Sequence, residues 1–291
     1  MAQEAPNWYV QAYIDRAIEV FQARGHKLRG MYTEPARIQA NVVNWMIAGK
    51  GEAVPLVRGG FGAAMNAARS TVSATMADWQ AADWVWQVDI AKMTANEQEI
   101  VQSTCGKALG RRADLIPIGV MNAASLTIVS DGAVSTSTGS GFTLPMALSG
   151  IQQLESQDVE IDDGQVFCGL PSLAWNQFMS YRQVNDADWV GYDGAPYKTG
   201  PKFKDWNGVK WFLMSDRYAQ SPGPAYQQDF FLWHKSALGF AMNYDIKSVV
   251  TWENIFSGWY HNNIFAATAA VLLPAGILRF RINPQSAITV N

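Results

Sequence analysis

Apolar positions recur every three or four residues between 7 and 24: Val10, Tyr13, Ile14, Ala17, Ile18 and Phe21. That period predicts an amphipathic helix, with Asn7 able to cap it and Gly25 where a helix C-terminus favours glycine. From 30 to 80 the pattern changes. Gly49, Gly51, Gly59, Gly60 and Gly62 interrupt the segment, with Pro35 and Pro55 among them. Val72, Ala74 and Met76 alternate with Thr71, Ser73 and Thr75, which predicts a two-sided strand over 70–76. A stretch with so few large apolar side chains makes no core of its own. It reads as a long projecting hairpin that needs a neighbour.

The next periodic stretch predicts a helix from Thr94 to Ile116. Thr94 and Glu97 have capping-box spacing. Val101, Cys105, Ala108, Leu109 and Arg112 fall on one stripe, and Pro117 is expected to end or kink the helix. Glu97 and Glu99 near its start and Lys107, Arg111 and Arg112 near its expected end suit the helix dipole. Further on, strands are predicted at 126–129, 166–169, 209–214 and 230–233. Two helices are predicted. One is capped by Thr143, with Pro145 in its first turn and Leu144, Leu148, Ile151 and Leu154 inward; the other is capped by Ser172 and spans 173–182. Residues 132–141 and 184–205 read as loops. Leu278, Phe280 and Ile282 alternate with Arg279 and Arg281, a half-buried closing strand. Strands and helices in mixed order, with no internal repeat, indicate an α+β fold.

Composition narrows the partners. Charged residues make up 16% of the 291 and apolar residues 48%, against roughly 25% charged in ordinary soluble chains. One reading is a large core; the sharper one is surface covered by partner subunits, since obligate interfaces are apolar. Twelve Trp, ten Tyr and thirteen Phe point the same way. A net charge of −3 leaves no basic stripe for reading nucleic acid. The first residues lack the pattern of a signal peptide. The longest apolar run, 264–278, contains Pro274 and falls short of the ~20 residues of a membrane helix. Cys105 and Cys168 match no metal spacing and read as two reduced thiols.

Candidate chemistry is sparse. His26, His234 and His261 lack zinc-site spacing, and no nucleophile elbow, P-loop or dinucleotide fingerprint is present. No catalytic, cofactor-binding or metal residue is therefore assigned, and no cofactor is expected. Asp186, Asp188 and Asp193 around Gly191 fall short of a calcium loop, because Tyr197 stands where its Glu belongs; a solvated turn is the plainer reading. Trp79, Trp84 and Trp86, and Trp206 with Trp211, read as core or interface filler before they read as a sugar platform. Lys50, between Gly49 and Gly51, reads as an exposed amine on the hairpin. Its ordinary role is solubility; its sharper one is a cross-link to an Asn of a neighbour.

The order of elements, from arm to projecting loop to long helix to mixed α/β region to closing strand, carries a resemblance. So do Trp84-Val85-Trp86-Gln87-Val88-Asp89-Ile90-Ala91-Lys92, then Glu97, then Ala108-Leu109-Gly110-Arg111-Arg112-Ala113-Asp114. Downstream come Cys168-Gly169-Leu170-Pro171, a Trp175-containing helix, His234-Lys235-Ser236-Ala237-Leu238-Gly239 and the closing 269–282. The series resembles the major capsid proteins of tailed double-stranded DNA bacteriophages, the Hong Kong 97-like fold. The resemblance implies an N-terminal arm over 1–30 and an extended loop over 31–80. It implies a peripheral domain with a long spine helix over 81–140 and 262–291, and an axial domain over 141–261. It also implies hexamers and pentamers of the chain, closing into an icosahedral head around phage DNA held by weak nonspecific contact. A separate scaffolding protein, a portal and, as an open element, a cement protein go with it, as do assembly in the bacterial host cytoplasm, residence in the virion, and no catalysis. Two alternatives accompany this reading: a bacterial nanocompartment shell protein of the same fold, and a Trp-rich carbohydrate-binding protein.

Overall fold

The computed structural model describes residues 26–35, 38, 41–53, 55, 58, 59, 65, 67–87, 97–131, 141–185, 203–219, 226–243 and 247–287. The expected helix over 7–24, the capping box of Thr94 with Glu97, and the loops over 132–140 and 186–200 lie outside what is described. The chain divides into two units: 1–27, 77–114 and 242–267 make one, and 28–76, 115–241 and 268–291 make the other. Strands and helices mix without a repeated βαβ order, an α+β architecture.

The first unit is built on an antiparallel sheet in which β11 (Gly258–Val271) lies between β10 (Lys247–Glu253) and β3 (Ala77–Trp86). Its helix is the opening part of α1 (Glu97–Ala123), whose 27 residues make about 40 Å of helix. Register places His261, Asn263 and Phe265 of β11 opposite Asp83, Ala81 and Trp79 of β3. The Arg112 guanidinium lies 3.6 Å from the centre of the Trp79 ring, and the Cys105 thiol is hydrogen-bonded to Asn263.

The second unit holds a six-stranded mixed sheet in the order β4-β12-β8-β5-β7-β6. Its strands are β4 (Thr127–Val129), β5 (Val166–Leu170), β6 (Phe203–Trp206), β7 (Val209–Leu213), β8 (Gln228–His234) and β12 (Ile277–Ile282). All five β5 residues and the middle five of β8 are buried, as strands covered on both faces should be. The core packs α2 (Leu144–Glu155) and α3 (Ser172–Met179) with the sheet around Phe142. The Phe142 ring meets Phe178, Trp211, Phe230 and Phe280 at centroid distances of 5.4–5.9 Å. Gly150 permits the approach of α2 to β12, since a Cβ there would stand 2.4 Å from the Phe280 ring.

Four expectations need correction. The long helix does not stop at Pro117 but continues to Ala123. Burial of Leu109, Ala113, Ile118 and Met121 on either side of the proline outweighs the one backbone donor that proline removes. Lys107, Arg111 and Arg112 are thus mid-helix, and no basic residue occupies the last turn. Instead Arg279 of β12 donates through Nη2 to the carbonyls of Met121, Asn122 and Ala124 at 2.8–3.2 Å. Leu148 does not face inward: it is 44% exposed, and the buried stripe of α2 is Met146, Ala147, Gly150, Ile151 and Leu154. Ser172 is the first residue of α3 and not its cap; its N–H and hydroxyl both donate to the Asp216 carboxylate, at 2.7 and 2.6 Å, which places an anion at the helix start. Last, β12 is not half-buried. It lies between β4 and β8, and Arg279 is buried with the apolar residues of the strand, with Arg281 partly exposed. β12 and β8 fall in different domains of the partition the resemblance implies, yet they pair from Ile277 to Ile282.

Candidate assembly surfaces

The hairpin of β1 (Val42–Ala48) and β2 (Arg69–Thr75) is a two-stranded sheet of its own. Its two faces follow the predicted alternation. Val43, Trp45, Val72 and Ala74 turn to a cluster with Met76, Ala241, Ala270 and Leu272. Thr71, Ser73 and Thr75 are exposed, and the Ser73 hydroxyl donates to Asn44 Oδ1 at 2.7 Å. The sequence expected a hairpin needing a neighbour; its inner face already has one within the chain. Gly239 is the point of contact, where a Cβ would stand 2.9 Å from the Trp45 indole. Among the described residues the outer face lacks such cover. Met46 is 91% exposed, and beside β1 lies a groove of about 690 Å³ lined by Pro35, Trp45, Ile47, Leu272 and Leu273 among others.

Lys50 follows β1, where the Gly49 N–H donates to the Ala68 carbonyl at 2.6 Å. Its ammonium is exposed, as expected, but it is engaged by the Asp158 carboxylate of the same chain. Hydrogen bonding and charge from Lys50 hold that carboxyl below its usual range. Both side chains are more than three-quarters exposed, so the pair is screened and weak.

The tryptophans separate by environment. Trp211 is fully buried against Phe142 and Phe178, so the core reading holds there. Trp79 lies under Arg112. Trp84 sits with its ring 4.7 Å from Tyr260 and 5.1 Å from Phe256, and Trp86 is 44% exposed. Across the sheet Trp252 meets Trp259 at 5.3 Å. Trp84, Trp86 and Tyr260 share one face where β3 ends beside the turn joining β10 to β11, and register places Trp252 and Trp259 on the other face.

The histidines have three different situations. His26 N–H donates to the Gly110 carbonyl at 3.0 Å. His234 Nε2 is 2.9 Å from Asp163, and its Nδ1 is 2.7 Å from the Ser236 hydroxyl. Such a line can in principle activate a serine. Here the Ser236 backbone N–H also donates to Nδ1, at 3.2 Å, so the imidazole caps the short turn at Lys235–Ala237. Burial pushes the Asp163 carboxyl up, but the bonds from His234 and the Gln165 N–H outweigh it and hold the carboxyl below its ordinary range. His261 is 2% exposed, and among the described residues neither ring nitrogen has a hydrogen-bond partner. Burial lowers its pKa, and the nearby Asp83 only partly offsets this. Cys105 and Cys168 are buried free thiols, both pushed up by burial. Among the described residues no group of three or more His, Cys, Asp or Glu side chains is placed to hold a metal, and no helix is long and apolar enough to cross a membrane. Asp186, Asp188 and Asp193 lie outside the described residues.

Sequence reasoning missed the buried charge cluster. Asp229, fully buried on β8, accepts from Arg281 Nε and Nη2 at 2.8 and 2.9 Å, with Arg279 Nη1 at 3.8 Å. Burial pulls the Arg279 pKa down, while the bond to Asp229 raises that of Arg281. The signal was present: a lone Asp opening the apolar run of β8, and an Arg-x-Arg inside a strand.

Comparison with known proteins gives a single answer. The family model described as phage capsid protein matches residues 5–283. No curated protein matches the sequence. Among solved structures, the capsid of Ralstonia phage GP4 superposes with a TM-score of 0.71 at 9% identity, covering 99% of both chains. The capsid of Cyanophage P-SCSP1u gives 0.69 at 14% identity, over 93% of this chain and 91% of that one. The capsid of a native GTA particle gives 0.65 at 11% identity, over 95% and 96%. At these identities the likeness is one of fold.

Proposed function

The chain belongs to the phage capsid protein family, and from that premise we propose the assembly in which it acts. It is a capsid shell protein of the virion. In our reading, copies form hexamers and pentamers that close into an icosahedral head around double-stranded DNA. A scaffolding protein, a portal and, in some heads, a cement protein take part, and assembly proceeds in the bacterial host cytoplasm. The role is mechanical, with no catalytic step. The observation that carries this is the family match across 5–283.

Physical chemistry supports it. A charged fraction of 16% leaves much surface to be covered by like subunits, and a net charge of −3 suits a wall that does not hold DNA tightly. In the terms of the fold, the β1–β2 hairpin is the extended loop and α1 the spine helix. The pairing of β12 with β8 favours placing the closing strand with the axial domain. The nanocompartment and carbohydrate-binding alternatives have no observation in their favour.

The test is electron microscopy and sedimentation of the full chain at micromolar concentration, expressed alone and with its scaffold. Closed shells, or rings of five and six, are expected. A folded monomer under every condition would overturn the proposal.

A further inference from the structure

The sheet of β3, β10 and β11 turns one face toward α1, where Asn263 bonds the Cys105 thiol. The opposite face carries Trp84, Trp86 and Tyr260, which register sets beside Asn262 and Gln80. Trp86 is 44% exposed, and Val249, opposite Asn262 on β10, is 40% exposed. The rings are held in place before any ligand arrives. Trp84 stands 4.7 Å from Tyr260, 5.1 Å from Phe256 and 6.1 Å from Trp86, the two indoles inclined by 26°. Exposed rings whose rotamers are already fixed mark a contact site that costs little to order.

The polar groups around the rings say what the face takes. Gln80 Nε2 donates to the Tyr260 hydroxyl oxygen at 3.1 Å and to Asn262 Oδ1 at 2.9 Å. The phenol oxygen is thus an acceptor within the face, and its own hydrogen is left to donate outward. Among the described residues the indole N–H groups of Trp84 and Trp86 meet no acceptor, and an indole can only donate. The three rings therefore offer apolar surface and donors. From the Gln80 row to the Trp86 row the charged residues on this face are Lys247 and Glu253, at its two ends. A phosphate ligand would need cations in the middle. A saccharide would need acceptors for its hydroxyls, and Asn262 Oδ1 is already taken. A proline-rich segment is neutral and lacks N–H groups, and in polyproline II form its carbonyls make no internal hydrogen bonds. That form rises about 3.1 Å per residue, so two residues span the interval between the two indoles.

We propose that this face binds a proline-rich segment of a partner protein in polyproline II form. Trp84, Trp86 and Tyr260 pack on its pyrrolidine rings, and the Tyr260 hydroxyl and the indole N–H groups donate to its carbonyls. Such stiff segments dock on aromatic-lined surfaces with little entropy to lose. The Gln80 amide is a positioning group, which turns the phenol hydrogen toward the ligand. This binding goes beyond the shell role and does not depend on it, since every residue named belongs to the folded subunit.

The experiment measures the fluorescence anisotropy of fluorescein-labelled decaproline titrated with the full chain. A glycine–serine peptide of the same length carries the same label as a control, and a neutral glucose oligosaccharide is the unlabelled competitor. Decaproline should bind saturably, the glycine–serine peptide should not, and the oligosaccharide should displace nothing. Trp84→Ala should weaken binding by about tenfold or more, through loss of the central ring. Tyr260→Phe keeps the ring and the fold, as circular dichroism should show, and removes one donor, so it should weaken binding by about fivefold. Gln80→Leu should weaken it in the same direction, by freeing the phenol to turn. Absence of saturable decaproline binding would overturn the proposal. So would equal affinity for the glycine–serine peptide, or affinity unchanged in both Tyr260→Phe and Trp84→Ala. Displacement by the oligosaccharide would overturn it as well, and would make the face a sugar platform instead.

Discussion

The two sheets are lined differently, and the difference separates stability from adjustability. Behind the six-stranded sheet the space is filled by rings: Phe142 at the centre, with Phe178, Trp211, Phe230 and Phe280 around it. Behind the sheet of β3, β10 and β11, α1 meets polar groups. Trp79 Nε1, Arg112 Nε and both ring nitrogens of His261 are buried without hydrogen-bond partners among the described residues. An orphaned buried polar group costs about 1–3 kcal/mol; among the described residues the six-stranded layer has such groups too, in Gln153 Oε1, Gln228 Oε1 and Arg279 Nε, but it sets a packed aromatic cluster against that cost. A shell subunit needs a stiff part to bear load and a part that yields to fit unequal neighbours. Dry and polar layers of this kind supply both within one chain.

The comparison is broken most directly at its dry end. Phe142→Ala should cost about 3–5 kcal/mol, because the ring stands among four others and the helices around it cannot close the cavity. Its signature is loss of amide protection across β5, β7, β8 and β12, read by hydrogen exchange. Equal loss over β3, β10 and β11 would show that the two layers unfold as one and erase the distinction. Arg279→Met should follow, at about 3 kcal/mol. It strips three carbonyls at the end of α1 of their donor. Asp229 stays neutralised by Arg281, which keeps the cost at the lower end for a broken buried pair. A melting temperature unchanged in Arg279→Met would mean that water replaces the guanidinium there.

How much of this was legible beforehand depended on whether a local rule decided the element. The faces of β2 were readable because alternation alone sets them. Thr143 was readable as a cap, and its Oγ1 accepts from the Met146 N–H. The end of α1 was not, because the guanidinium that satisfies it comes from a strand 157 residues on, and no local signal carries that. β11 was missed for a related reason. Its buried second half, Phe265 to Ala270, reads as a continuous apolar run and has no period to detect. Leu148 went wrong because Leu was taken as inward on residue type, whereas Gly150 sets the close face of α2. As for surfaces, the sequence located Trp84 and Trp86 as filler or interface. Their gathering with Phe256 required the register of β3 with β11, in which Trp86 stands opposite Gly258.

Acid sharpens the comparison at its polar end. The folded protein holds the His261 pKa below its ordinary value by burial, so the unfolded chain binds the proton more readily. Stability from this group is complete above about pH 6.5 and is lost progressively as the pH falls from there toward the folded-state pKa. Protection over β3, β10, β11 and the first half of α1 should therefore drop between neutral and mildly acidic pH before that of the six-stranded sheet. His261→Phe should flatten that dependence. A pH profile identical in His261→Phe and the unmodified chain would assign the acid sensitivity elsewhere and remove the polar layer as its source.

The smallest expected effect tests whether the dry layer tolerates a local fault. Thr143 starts α2 with extended backbone, and its Oγ1 accepts from the Met146 N–H at 3.4 Å. Thr143→Ala removes that acceptor. Caps of this type contribute about 0.5–2 kcal/mol, and the length of this bond places the loss near the bottom of that range. Pro145 limits it further, since one of the first-turn positions has no N–H to satisfy. The buried stripe of Met146, Ala147, Ile151 and Leu154 is untouched, so the helix should persist and only its first turn should fray. The expected outcome is a melting temperature lower by about 1–3 °C, faster exchange at Met146 and Ala147, and unchanged protection from Ile151 onward. Thr143→Ser should restore the unmodified values, because it keeps the oxygen. A fall as large as that of Phe142→Ala would mean that α2 depends on its cap more than on its packing, and the account of the six-stranded layer as the stiff part of the subunit would fail.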